Sequence, residues 1–168
     1  MRIIYCLNSL DISGGIERVT INKANALAEM GHDVTIVVTD HKEDATFVQP
    51  LSEKVKFVDL NVGHWFGQYK WHSPISKRFT HYRRLKEFVS EYNPDVIISV
   101  GQSEKQVISL LRTKAVKIRE IHFLSTYRKY TYNKKWLAKI LDFIDYKLII
   151  RGYDQIVLLT NEDYHEQW

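Results

Sequence analysis

The chain has 168 residues, of which 45% are hydrophobic and 26% charged, with a single cysteine and a formal net charge of +4. That is one domain's length, with the composition of a soluble globular protein. No apolar run approaches the ~20 residues that span a bilayer, and Cys6 cannot form an internal disulfide. Arg2 ahead of an apolar run has the look of a secretion signal, but polar Asn8, Ser9 and Asp11 shorten that run and a helix follows at once. A cytoplasmic protein is the simplest reading. Positive charge gathers between Lys70 and Lys86 and between Arg112 and Lys147. Such a field suits nucleic acid, anionic lipid or phosphorylated small molecules, and charge alone does not choose among them.

Met1 to Leu10 reads as a short buried strand running into Asp11-Ile-Ser-Gly-Gly15. A helix opens at Ile16, with Ile16, Val19, Leu27 and Met30 on its apolar face, and Gly31 stops it as a residue suited to the left-handed region. Val34 to Val38 is the second strand. Strand, loop, helix and strand make a parallel βαβ unit, which puts the glycine loop at the carboxyl end of the first strand, where open α/β sheets bind ligands. Gly14 and Gly15 permit positive φ and close approach of a ligand to the backbone. The amides that follow belong to a helix N-terminus and favour an anion. Glu17, three residues after Gly14, suits a capping interaction on the same turn. A tight strand-to-helix turn and an anion cradle fit this loop equally well. Neither a G-x-G-x-x-G dinucleotide fingerprint nor a P-loop is present.

Residues 41–49 read as loop, and Lys54 to Asn61 as a short third strand near an edge. Between Val62 and Ser76 lie Trp65, Phe66, Tyr69 and Trp71 with no clear period. Rings folded onto the domain are the favoured reading there, over a ligand or membrane contact. Ser76 to Tyr92 predicts an amphipathic helix, with Tyr82, Leu85, Phe88, Val89 and Tyr92 inward and Phe79 at the edge of the arc. Lys77, Arg78, Arg83, Arg84 and Lys86 make it basic; such a face is usually solvated and can also lie on anionic lipid. Asn93-Pro94 breaks the helix, and Asp95 to Val100 is an apolar fourth strand.

Gly101-Gln102-Ser103 follows that strand, with Ser103 and Gln106 placed for a capping box on a short helix to Arg112. Gln102 and Ser103 either contact a ligand at that rim or cap the helix, and capping is the safer expectation. Ala115 to His122 is strand five, ending in Glu120-Ile-His122. Residues 124–133 interleave Arg128 and Lys129 with tyrosines, but no nucleic-acid-binding signature accompanies them. A long helix from Asn133, with Trp136, Leu137, Ile140, Leu141, Ile144 and Leu148 inward, is expected to end at Gly152. Asp154 to Thr160 is strand six, and Thr160-x-x-Asp163 is a capping box for one more helix. That helix stops after barely a turn, so the sequence looks cut from a longer protein.

Ser13-Gly-Gly-Ile-Glu-Arg-Val19, followed by Leu27-Ala-Glu-Met-Gly-His-Asp-Val34 before an apolar strand, resembles the opening of family 4 glycosyltransferases. The resemblance continues through Glu120-Ile-His122 and returns at Leu159-Thr160 with Glu162-Asp163, although Phe123 stands where many members have asparagine. It implies a GT-B fold, in which two Rossmann-like domains face each other across a cleft. It also implies transfer of a sugar with retention from a nucleotide-sugar donor to a glycan or lipid-linked acceptor, as in bacterial cell-surface polysaccharide synthesis. Residues 1–168 are then the acceptor-side N-terminal domain, a doubly wound α/β parallel sheet of order 3-2-1-4-5-6. The donor-binding domain, with its spaced pair of glutamates, lies elsewhere, and the chain alone is expected to be inactive. The resemblance makes His122 the catalytic candidate near the donor sugar. Gly14, Gly15, Glu17, Gln102, Ser103, Glu120 and Thr160 are the substrate-binding candidates. No metal, cofactor or nucleic acid is expected; the named partners are donor, acceptor, the second domain and an anionic membrane surface. A nicotinamide-dependent oxidoreductase domain and a non-catalytic membrane-docking module are the alternatives.

Overall fold

A computed structural model of the chain describes residues 1–11, 14–41, 46–63, 74–101, 104–122, 143 and 149–158. Strands β1 (Arg2–Leu7), β2 (Asp33–Val38), β3 (Val55–Asp59), β4 (Val96–Ser99), β5 (Val116–Ile121) and β6 (Gln155–Leu158) form one sheet in the order β3-β2-β1-β4-β5-β6. Every neighbouring pair is parallel. This is the doubly wound order expected from the alternation of strands and helices, with β3 at an edge. All strand carboxyl ends therefore share one rim.

Helices α1 (Gly15–Glu29), α2 (Pro74–Tyr92) and α3 (Glu104–Leu110) accompany the strands, with a 3-10 turn at Ile150–Gly152. The central strands bury both faces, so they read as unbroken apolar runs rather than alternating ones. Ile3, Tyr5, Leu7, Val34, Ile36 and Ile98 pack with Ile21, Ala24 and Ala28 of α1 in one core. Ile4, Cys6, Val37 and Ile97 pack with Leu85 and Val89 of α2 and Val107 and Ile108 of α3 in the other. Each fully buried aliphatic side chain contributes roughly 1.5–3 kcal/mol.

Helix α1 differs in part from expectation in the face it buries. α1 buries Thr20, Ile21, Ala24 and Ala28, while Met30 is 73% exposed and Val19 lies at the surface. Small side chains let α1 lie close to the sheet, and the Thr20 hydroxyl is absorbed by donating to the Ile16 carbonyl at 2.8 Å. Of the four apolar residues expected inward, Ile16 and Leu27 pack against the core and Val19 and Met30 do not. In α2 the inward residues are as expected, but the same stripe also buries His81. The end of α1 is as predicted. Gly31 has φ +86°, its N–H bonds the Ala28 carbonyl, and the His32 N–H bonds the Leu27 carbonyl, which is a Schellman motif.

Gly152 does end a helical turn, for a reason other than the one expected. Its φ is not positive; a Cβ there would come within 2.6 Å of the Ser109 backbone, so close approach to α3 is what demands glycine. The expectations for the aromatic stretch at 64–73, the basic and tyrosine-rich segment, most of the helix from Asn133, and Thr160 with its capping box fall outside the described residues. Among those described, no helix is long and apolar enough to cross a membrane.

Candidate functional site at the carboxyl rim

The glycine loop closes onto the N-terminus of α1. Gly14 is the residue before the helix, with extended φ −125° and ψ 167° and no side-chain cap. Neither Gly14 nor Gly15 adopts positive φ, so the conformational freedom expected of them is not used. Space is what they supply. A Cβ on Gly14 would collide with the Glu17 carboxylate, whereas a Cβ on Gly15 would meet nothing within 4 Å. Open space therefore lies beside Gly15 at the first turn of α1. Glu17 lies in the first turn, where its charge suits the helix dipole and competes with any anion for the same amides. A neutral hydroxyl-bearing ligand shares that terminus with Glu17 more readily than a phosphate does.

Across β4 from that loop, β5 carries the second part of the site. Ile118 packs in the α1-side core, so two-residue alternation turns Glu120 and His122 to the same side. The Glu120 carboxylate accepts from Lys23 Nζ of α1 at 2.9 Å and from His122 Nε2 at 3.2 Å, both at the same oxygen. Burial alone raises the Glu120 pKa; the His122 hydrogen bond and then Lys23 outweigh it, and the carboxyl sits below its usual range. Burial, reinforced by the Glu120 charge, pushes the Tyr5 hydroxyl well above its usual pKa. A carboxylate only accepts, so His122 carries its proton on Nε2, and in the neutral ring Nδ1 is an acceptor. The His122 and Glu120 side chains are 4% and 10% exposed, while Lys23 reaches solvent at 39%.

A second histidine–carboxylate pair lies on the other flank. His41 Nδ1 is 2.9 Å from Asp11 Oδ1, and the ring packs against Phe47 and Phe57 at centroid distances of 5.4 and 5.1 Å. Asp11 follows β1 and His41 follows β2, so this pair also lies at the carboxyl rim.

The loop after β4 is anchored from below. Arg119 turns to the α3 side, where its guanidinium donates to Ser99 Oγ at 2.8 Å and to the Gly101 carbonyl and lies 3.7 Å from buried Glu104. Gln102 and Ser103 themselves are outside the described residues, as is Thr160. Gly14, Gly15 and Glu17 after β1 and Glu120 and His122 on β5 thus lie along the same rim, with β4 between them and Lys23 of α1 bonded to Glu120. Sequence reasoning missed Lys23, Asp11 and His41. Asp11 and His41 carry a signal, since both follow predicted strands at the ligand-binding end. Lys23 has none, because a lysine in the middle of a helix reads as solvated surface.

Among the described residues no group of three or more His, Cys, Asp or Glu is placed to hold a metal. No curated protein matches the chain. Among solved structures, a sucrose-phosphate synthase from Thermosynechococcus elongatus superposes with TM-score 0.67 at 14% identity, over 100% of this chain and 45% of that one. WaaG, a glycosyltransferase involved in lipopolysaccharide biosynthesis, gives TM-score 0.62 at 13% identity over 98% of this chain and 40% of that one. A glycosyltransferase from Rickettsia africae ESF-5 gives 0.52 at 19% identity, over 94% and 42%. At these identities the likeness is one of fold, and the chain spans less than half the length of each. Residues 13–166 match the model described as Glycosyltransferase Family 4, and the chain belongs to that family. That membership displaces the oxidoreductase alternative.

Proposed function

We propose that this family 4 chain is the acceptor-side Rossmann-like domain of a GT-B glycosyltransferase. The whole enzyme transfers a sugar, with retention, from a nucleotide-sugar donor to a glycan or lipid-linked acceptor. The donor-binding domain then belongs to the part of such enzymes that these 168 residues do not span. The observation that carries the reading is the Lys23–Glu120–His122 chain of hydrogen bonds, on the same side of the sheet as α1 and at the same rim as Gly15. Glu120 fixes the ring and its tautomer, so that His122 Nδ1 is presented as an acceptor for a sugar hydroxyl and a proton can be held there. The open space over Gly15 gives the transferring sugar room against the α1 amides. The reaction needs no cofactor beyond the donor, and a bacterial cell-surface glycan fits the acceptor.

The test is to express the full-length protein and screen nucleotide sugars for hydrolysis and for transfer to glycan and lipid-linked acceptors. The full-length protein is expected to turn over at least one donor, and the 168-residue chain none. Absence of turnover with every donor, or turnover by the short chain at the full-length rate, contradicts the proposal.

One further observation favours contact with membrane. Phe79 is 67% exposed, and Arg78, Arg83 and Lys86 are exposed around it on α2. An exposed ring among cations suits the surface of an anionic bilayer, where each nearby cation contributes about 1 kcal/mol. Sedimentation with anionic and neutral liposomes across a salt series tests it: binding confined to anionic vesicles and lost with salt is expected, and equal binding to neutral vesicles is the opposing result.

A further inference from the structure

The glycine loop is flanked on both sides by a histidine held by a carboxylate. On the β5 side stand His122 and Glu120; on the β2 side stand His41 and Asp11. Both lie on the α1 side of the sheet, since Phe47 and Phe57, which hold the His41 ring, pack in the same core as α1.

The second pair is braced more heavily than a surface contact requires. The His41 backbone N–H donates to Asp59 Oδ2 at 3.0 Å, and the other Asp59 oxygen accepts from the Asn61 N–H at 2.7 Å. Asp40 accepts from the Gly63 N–H at 2.6 Å, and the amides of Thr39 and Asp40 both donate to the Asn8 carbonyl. The turns after β1, β2 and β3 are thereby tied together around one imidazole. Its side chain keeps 19% of its surface accessible. Because Asp11 takes the proton on Nδ1, the neutral ring leaves Nε2 as an acceptor. A ring locked by packing and a supporting hydrogen bond, with one nitrogen left for a partner, is the form a preorganised binding group takes.

We infer that Asp11–His41 is a second sugar-recognising subsite, which holds a hydroxyl of the acceptor glycan through His41 Nε2. His122 serves the donor side of the same rim. The inference rests on reading the chain as a glycosyltransferase domain, and adds which residues hold the acceptor.

The test follows the imidazole signals of His41 and His122 by NMR in the isotope-labelled chain. The probes are methyl α-D-glucopyranoside, methyl β-D-galactopyranoside and N-acetylglucosamine, each titrated into the millimolar range. At least one is expected to shift the His41 ring and the Gly15 amide. His41→Phe keeps the aromatic packing but removes both ring nitrogens. It is expected to weaken that binding about tenfold or more while leaving the rest of the spectrum folded, with a lowered melting temperature because Asp11 loses a partner. His122→Ala is expected to leave glycoside binding at His41 intact. The inference is overturned if none of the three glycosides moves the His41 ring, if His41→Phe binds as tightly as wild type, or if His122→Ala abolishes the response. Those outcomes leave donor turnover by the full-length enzyme untouched, so failure of this inference and failure of the glycosyltransferase reading are told apart.

Discussion

Neighbouring residues of β5 bury charge on opposite faces of the sheet, with opposite consequences. Arg119 points to the α3 side, where every contact the structure gives it is internal: Ser99, the Gly101 carbonyl and Glu104. Glu120 points to the α1 side and joins His122 to Lys23, whose ammonium reaches solvent. The first cluster is closed and braces a loop; the second buries the His122 ring at the rim and opens to solvent through Lys23. Burial of charge in one strand thus has two uses, and what distinguishes them is whether the network ends inside the protein or at its surface.

The largest effect expected from breaking this contrast is on the closed side. Arg119→Met removes the cation beside buried Glu104, and is expected to destabilise the fold by about 3–5 kcal/mol. Adding Glu104→Gln removes the buried carboxylate's charge as well and should restore most of that loss. Chemical denaturation of wild type, single and double variants measures it; a single variant within about 1 kcal/mol of wild type would mean that the pair is not a brace.

A pH effect of similar origin is expected at His81, on the same face. Burial holds its pKa down at about 4, against an ordinary value of 6.5. The unfolded state therefore takes up a proton first as pH falls. The associated stability is fully present above pH 6.5 and is lost progressively down to about pH 4, on the order of 3 kcal/mol. Melting temperature followed from pH 7 to 4 should fall less steeply in His81→Phe than in wild type; parallel curves would contradict the assignment.

The smallest stability effect belongs to the glycine loop. Had Gly15 been left-handed, a valine there would cost about 1–3 kcal/mol in strain. Its φ is not positive and no atom lies within 4 Å of a Cβ placed on it, so Gly15→Val should cost less than about 1 kcal/mol. It should nonetheless reduce turnover of the full-length enzyme, by filling the space beside the α1 amides. Normal turnover per folded molecule would mean that the glycines serve the turn alone.

The parallel strands were legible because a strand buried on both sides reads as a largely apolar run, as in Val34 to Val38, broken only by Thr35, and Val96 to Ile98; their order followed from the alternation of strands with helices. The C-terminal stop of α1 was legible because only glycine adopts φ +86° at low cost. The buried arc of α1 was legible only through Ile16 and Leu27, since Thr20, Ala24 and Ala28 are chosen for size, which hydrophobic periodicity does not weigh. The site divides in the same way. Glu120 and His122 could be placed from the end of their own strand. Lys23 is 97 positions away from Glu120, and Asp11 is 30 from His41, so those partnerships exist only once the sheet has assembled.

The central claim is that the open cluster on the α1 side, and not the closed one, carries the chemistry. The most direct measurement is turnover per folded molecule for Glu120→Gln in the full-length enzyme, with its melting temperature taken on the same preparation. Glu120→Gln keeps the shape but weakens the hold on the His122 ring, and a misplaced group of this kind costs about 10²-fold in rate. The account predicts a loss of that order with a melting temperature close to wild type. Turnover that falls only in proportion to folded protein would contradict it, and would make Glu120 a second Arg119.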